Sequence, residues 1–312
     1  MADKGFDGLV LHIALKGISM GTQAPLPAMS ASARKNRVHI TAQAGEDWDA
    51  FVEYCVMRGL AGIECLSGIP GFVGGTPVQN VGAYGQEVSE TIVGVRCFDR
   101  SIAKVVELTN ADCGFSYRAS IFNTSMRDRF VVLSVTYSLT QGGRPKIVYK
   151  DLKDYFAEKL RAAKSSYNWQ DAGVTLKQAR DAVLRIRAAK SMVIDENDPN
   201  SQSAGSFFKN PIVPTETIDE IKKNMQIDDV PHFPVSKANA KIPAAWLIEQ
   251  AGFRKGFQLG NAGISTRHTL AIVNRGGASA KEILSLKYLI QTEVAAKFGI
   301  ELQPEPVFIG FE

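Results

Sequence analysis

A chain of 312 residues with 45% hydrophobic and 22% charged side chains has the composition of a folded globular protein, and its length favours two domains over one. Its net charge of +4 is scattered among acids, as in "YKDLKDYFAEKLRAAK" (149–164), so no basic stripe with stacking aromatics speaks for nucleic acid, although a small positive surplus suits an anionic small molecule. No run of eighteen apolar residues speaks for a membrane span, and "MADKGFDGLV" lacks the basic and apolar regions of a signal peptide, which points to a cytoplasmic protein with no obligate protein partner indicated.

The first half is rich in strands. "GLVLHIAL" (8–15) and "RVHITAQA" (37–44) are short runs with β-branched residues, and "TIVGVRCFD" and "AKVVELT" flank a turn at Arg100–Ser101. "RFVVLSVTYSLT" (129–140) is the clearest strand. One helix interrupts them: in "EDWDAFVEYCVMRG", Trp48, Phe51, Val52, Cys55 and Val56 share a helical face, and Gly59 offers a stop. This half reads as α+β. Cys55, Cys65, Cys97 and Cys113 show no CxxC spacing and no paired histidines, so they read as core cysteines in a reducing compartment, with no metal site indicated.

The segment 141–202 changes character. "QGGRP" is a turn, and Thr175 with Gln178 forms a capping-box pattern before a helix that carries Ala179, Ala182, Val183 and Ile186 on one face. "SMVIDENDPNSQSAG" is a polar loop of the kind found at domain junctions. The last third is α/β: Pro243 stands at a helix start, Gly252 ends "PAAWLIEQAG", and "TLAIVN" (269–274) is a buried-strand pattern. Ser279 and Glu282 open a helix with Ile283, Leu286, Ile290 and Val294 in register, closed by Gly299, and "PEPVFIGF" reads as a short final strand.

Within this pattern "GIPGFVGGTPVQNVGAYG" (68–85) stands out, with six glycines, two prolines and anchoring apolar residues Phe72, Val73, Val78, Val81 and Tyr84. Bare backbone rich in free N–H groups would suit a phosphate or a flat polar cofactor, while a tight turn at a sheet corner is the structural alternative; composition leaves both open. No Lys-Ser or Lys-Thr follows, so it is no P-loop, and it does not match GxGxxG between strand and helix. Three polar positions stand in apolar company: Arg118 in "SYRASIF", Ser206 in "SAGSFFKNP" and Glu305 in "PEP". Taken singly, they read equally as a snorkelling arginine, a turn serine and an edge acid.

In order, "GIPGFVGGTPVQNVGAYGQEV", "CGFSYRASIF", "SAGSFFKNP", "IPAAWLIEQAGFRKG", "GNAGISTRHTLAIVN" and "PEP" resemble the UDP-N-acetylenolpyruvoylglucosamine reductases over nearly the whole chain. The resemblance implies an α+β, two-part flavin-binding domain of the vanillyl-alcohol-oxidase type, followed by a smaller α/β substrate-binding domain. The corresponding boundaries are 1–165 for the flavin domain, 166–202 for a helix and linker, 203–300 for the substrate domain and 301–312 for a returning strand. It implies FAD as cofactor, NADPH as hydride donor and a UDP-sugar as substrate. Gly74, Gly75, Thr76, Val78, Asn80, Gly82 and Ala83 would line the flavin. Arg118 and Glu305 would stabilise an enolate, and Ser206 would protonate the neighbouring carbon. Tyr117, Tyr149, Lys190, Asn210 and His268 would meet the substrate.

Two departures accompany the resemblance. Val307 stands where some members carry an arginine two places after the glutamate. The opening residues resemble the segment just after the family's first small subdomain, so that subdomain and its Gly-x-Gly-Ser-Asn loop, which does not occur before residue 20, are expected to be truncated here. A member that keeps UDP-sugar affinity without flavin is the alternative expectation.

Overall fold

The computed structural model describes residues 1–21, 36–162 and 173–311. Compactness divides them into two units, Leu11–Ala188 and Ala189–Glu312 with Met1–Val10. The first ten residues therefore group with the C-terminal part, and the described part of the helix-and-linker stretch, 173–202, is shared between the units. The 165/166 boundary itself lies outside the described residues.

The larger unit is built on an antiparallel sheet. Its strands are β1 (Ile18–Gly21), β2 (Arg37–Gln43), β3 (Leu60–Ala61), β6 (Ile92–Asp99), β7 (Lys104–Thr109) and β8 (Phe130–Gln141), with β4 (Gly82–Ala83) and β5 (Gln86–Glu87) forming a separate small hairpin. The order is β1-β2-β8-β6-β7, with β3 against the end of β8. β8 is central because its alternating valines and Tyr137 have partners on both sides: Ile40 faces Tyr137 in β2, and Val95 faces Val135 in β6. Helix α1 (Trp48–Met57) covers one face, buries Trp48, Phe51, Val52, Cys55 and Val56, and is capped by the Asp47 carboxylate accepting from Ala50 N at 2.8 Å. The Trp48 indole donates to Leu66 O at 3.0 Å and packs at a tilt against Phe51 and Tyr137, which joins helix, sheet and the segment just before the glycine-rich stretch in one core. Helices α2 (Lys150–Ala162) and α3 (Leu176–Ala189) complete the unit, and Thr175 and Gln178 make the expected reciprocal cap.

The strand expected at 8–15 does not form. Leu9, Val10 and Leu11 are largely exposed, β1 pairs with β2 only from Ile18, and Leu15 is held by its carbonyl accepting from Gly45 N. Apolar residues without a facing strand give no ladder to enter. All four cysteines are buried free thiols, and burial pushes those of Cys55, Cys97 and Cys113 up to about 12.

The C-terminal unit packs α4 (Thr215–Met225), α5 (Ala244–Gln250) and α6 (Ala280–Phe298) around two three-stranded sheets. One is β9 (Ile212–Pro214), β10 (Phe233–Pro234) and β11 (Asn239–Lys241); the other is β12 (Gln258–Leu259), β13 (Ala262–Ile264) and β14 (Ile272–Asn274). Ser279 and Glu282 form the capping box of α6, and Gly299 closes it in the left-handed region at φ +66°. Only Ile272–Asn274 of the expected 269–274 strand is laddered. The expected final strand reduces to one bridge, Pro304 to Phe208, because the prolines at 304 and 306 have no N–H to continue it. Among the described residues, no helix is long and apolar enough to cross a membrane.

Helices α1 and α3 are joined by a fork between buried Arg180 and half-buried Asp49. Arg180 donates to both Asp49 oxygens at 2.5 and 2.9 Å, and Asp49 also accepts from Gly68 N at 2.6 Å. Burial raises the Asp49 pKa, but these bonds and the Arg187 charge outweigh it and hold the carboxyl below its ordinary value. A depressed folded pKa stabilises fully above the unfolded value of about 3.9 and ceases to do so as pH falls through the folded one. Asp49→Asn should therefore lower the urea midpoint at pH 7, with the gap to the parent closing below about pH 4. A gap unchanged at every pH would mean that the pair acts by packing alone.

Candidate functional site

In the larger unit the glycine-rich stretch is a rigid shelf. A short 3-10 turn, Val73–Gly75, begins it, and Gly74 lies so close to the Ala44 backbone that a Cβ there would stand 2.6 Å from Ala44 Cβ. Thr76 is buried, sharing a 2.8 Å hydrogen bond with the Tyr137 hydroxyl and donating to Val73 O. Asn80, at φ +47° and buried, donates to Glu87 at 2.9 Å and to Ser116 O at 3.0 Å, and accepts from Ser89 N. The side chains of Thr76 and Asn80 thus hold the shelf.

Most amides in the middle of the stretch are not the free N–H groups that composition suggested. The amides of Gly74, Gly75, Thr76, Val78, Asn80 and Val81 all donate to nearby carbonyls, because successive turns consume them. What it offers is bare surface. Gly75 is exposed, and a Cβ added there or at Gly71 would meet nothing within 4 Å. Half-buried Val78, Gly82 and Ala83 continue this low surface.

The shelf is stitched to the turn that carries Arg118. Ser120 Oγ donates to Val78 O at 2.6 Å, Asn80 reaches Ser116 O, and Arg118 Nη2 donates to Gly82 O at 2.5 Å. Ser116 and Ala119 close a tight turn on each other, leaving Arg118 at φ +54°, a left-handed conformation that is strained for a residue with a side chain. Its guanidinium lies 5.2 Å from the Tyr117 ring. Tyr149, immediately before α2, packs edge-on against Tyr84 at 5.5 Å; burial, then Asp151 and Tyr117, raise its hydroxyl pKa. The structure therefore brings Gly82, Tyr117, Arg118 and Tyr149 into one neighbourhood.

In the C-terminal unit the segment carrying Ser206 runs between two others. On one side Ser203 bridges Val273 and Phe207 N donates to Leu270 O; on the other Glu305 N donates to Phe207 O and Lys209 N to Gln303 O. Gly205, at φ +78°, makes the turn into Ser206. Ser206 Oγ stands 3.4 Å from His268 Nε2, so Ser206, His268 and Glu305 lie in one neighbourhood. Asn210 is partly committed elsewhere: its Oδ1 accepts from Ala244 N at 2.9 Å, satisfying the first turn of α5. Lys190 is half-buried just past the end of α3.

Sequence reasoning missed the groups that hold these parts in place. Glu64 is fully buried and accepts from Gly62 N at 2.7 Å and from Gln86 Nε2 and Lys146 N at 2.9 Å each, while Gln86 Oε1 accepts from Cys65 N at 2.7 Å. Arg187 is buried on α3 and hydrogen-bonded to Tyr84, and burial lowers its pKa. A glutamate inside the apolar run "GIECL" was the one available signal for the first; the second needed a contact across a hundred residues.

The chain thus presents a bare glycine shelf beside an arginine in an α+β unit and continues into a separate α/β unit. A family model described as the FAD binding domain matches residues 4–109, and one described as the UDP-N-acetylenolpyruvoylglucosamine reductase C-terminal domain matches 198–309. The UDP-N-acetylenolpyruvoylglucosamine reductase of Thermobifida fusca is 42% identical over 318 residues, covering 99% of this chain and 83% of the relative. That of Saccharopolyspora erythraea is 43% identical over 317 residues, covering 99% and 81%. The chain belongs to the UDP-N-acetylenolpyruvoylglucosamine reductase family. In fold it is similar to the crystal structure of the Thermus caldophilus reductase, with a TM-score of 0.55 at 23% identity over 85% of this chain and 71% of that one.

The close approach at Gly82 yields a test of the stitching. A Cβ there would stand 2.9 Å from Arg118 Nη1, 2.8 Å from Glu87 Cγ and 3.0 Å from Gln86 O. Gly82→Ala should cost about 1–3 kcal/mol in a urea titration, the scale of an overpacked site. Adding Arg118→Ala should cost less in that background than alone. Independent losses would show that the guanidinium does not rest on Gly82.

Proposed function

We propose that this protein reduces UDP-N-acetylenolpyruvoylglucosamine to UDP-N-acetylmuramate, a step of peptidoglycan synthesis, in the cytoplasm. Family membership across 99% of the chain supports the reading. The observation that carries it is the backbone pairing of Phe207 with Glu305, which sets the serine and the glutamate of two distant motifs on adjacent segments. When bound, FAD reduced by NADPH supplies hydride to the terminal carbon of the enolpyruvyl group.

The roles of the chain's own residues follow from where charge develops. Hydride arrival loads the carboxylate side of the substrate with enolate charge, and Arg118, with one arm fixed on Gly82 O, offers a preorganised cation there. Glu305 shapes the charge around the same intermediate. Ser206 gives its hydroxyl proton to the neighbouring carbon, a demand a serine meets only toward a strongly basic partner. Gly74, Gly75, Val78, Gly82 and Ala83 would lie along the flavin, with Thr76 and Asn80 bracing them from behind. Tyr117, Tyr149, Lys190, the Asn210 amide and His268 would bind the UDP-sugar.

The visible spectrum of the purified protein is the first test: flavin absorption that bleaches with NADPH and returns on adding the UDP-sugar is expected. A colourless protein that cannot be reconstituted with FAD would overturn the reading. Ser206→Ala should keep the bleaching and slow the return by at least about a hundredfold, the scale of a lost general acid. Stopped-flow absorbance separates the halves, and equal loss in both would remove Ser206 from proton delivery.

A further inference from the structure

We propose that His268 is the proton source behind Ser206: its imidazolium Nε2–H replaces the hydroxyl proton as that proton leaves for the substrate carbon. The inference rests on the reductase reading above but concerns a contact within the C-terminal unit alone. A serine that gave its proton away unaided would become an alkoxide, far too basic to form at neutral pH. Some neighbour must refill it. Histidine is the side chain that exchanges a proton in that range, and His268 Nε2 is 3.4 Å from Ser206 Oγ. The contact is long for a hydrogen bond, as catalytic contacts often are without substrate.

The surroundings hold both partners still. His268 is half-buried, and its carbonyl accepts from Ala271 N at 3.1 Å. The adjoining Thr269 is buried and its hydroxyl donates to Glu249 on α5. Ser206 is fixed by Gly205 before it and by Phe207 N bonded to Leu270 O after it. The charged groups carried by the segments around the pair are Arg267 and Asp198, which interact with each other, Glu249, bonded to Thr269, Lys209 on the serine's own segment, and Glu305, whose backbone N–H donates to Phe207 O.

The step balances. The O–H bond of Ser206 breaks and a C–H bond forms at the substrate; the Nε2–H bond of His268 breaks and the serine O–H is restored; water returns the proton to the imidazole. No electrons move in this relay. His268 is thus a positioning residue that acts through Ser206, beyond any contact it makes with the substrate.

The test uses the flavin-loaded protein and His268→Gln, which can hydrogen-bond to Ser206 but cannot carry the proton. Flavin reoxidation at saturating UDP-sugar should fall about a hundredfold, and added imidazole should restore part of it. The fall of the rate with rising pH should vanish in the variant. In a Ser206→Ala background the second change should add little. Reoxidation within twofold of the parent, or a full additional loss in that background, would overturn the relay, while a parent that does not reoxidise would overturn the reductase reading instead. NMR of the parent gives an answer independent of turnover and of the variant's folding. The chain has four histidines, so the His268 ring can be resolved; it should exchange its proton between pH 5 and 8. A ring neutral throughout would also sink the proposal.

Discussion

Three hydrogen bonds between the 116–120 turn and the carbonyl or amide groups of 78–82 govern the larger unit's functional surface. They run from Ser120 to Val78, Asn80 to Ser116 and Arg118 to Gly82. Each joins a side chain to a backbone carbonyl, so each fixes a stretch of chain and not merely a rotamer. The glycines can remain bare because these bonds, together with the Thr76–Tyr137 contact to the core, supply the rigidity that side chains would otherwise provide. The same stitching holds Arg118 in a backbone conformation costing on the order of 1 kcal/mol. Strain of that kind persists only where surroundings overdetermine it, and here it directs a cation along the shelf.

The C-terminal unit solves a similar problem with strands. Ser206 sits on a segment bonded on both sides, to Leu270 and to Glu305, so its hydroxyl is placed by backbone pairing on two fronts. Proline on either side of Glu305 ends that pairing after a single bridge. The acid is therefore held by its own N–H and aimed by stiff neighbours, without a continuing strand to bury it.

Much of this was legible in sequence wherever periodicity or capping chemistry decided the local structure. Trp48 to Val56, the Thr175 and Ser279 caps and the long β8 all repeat a pattern within a dozen residues. The 8–15 run failed because propensity does not supply a partner strand. The amides from Gly74 to Val81 show a second limit: composition cannot tell which N–H groups successive turns have already consumed. The order of the glycine stretch, the arginine turn and the serine segment sufficed for the family. It did not reveal Glu64 or Arg187, whose roles exist only through contacts distant in sequence.

These unseen groups show why the shelf has its shape. A buried carboxylate and a buried guanidinium are poor investments in stability alone, since well-packed apolar residues would hold the same volume at lower desolvation cost. Glu64 instead gathers Gly62, Gln86 and Lys146 onto one pair of oxygens, locking the β4–β5 hairpin to the chain on either side. Arg187 reaches Tyr84, itself in a left-handed conformation at φ +49°, and Tyr84 in turn packs against Tyr149. Apolar side chains could fill these spaces but could not specify which backbone atoms meet. Directional bonds at Glu64 and Arg187 convert a flexible glycine-rich sequence into a surface with one arrangement, and that requirement outweighs their cost.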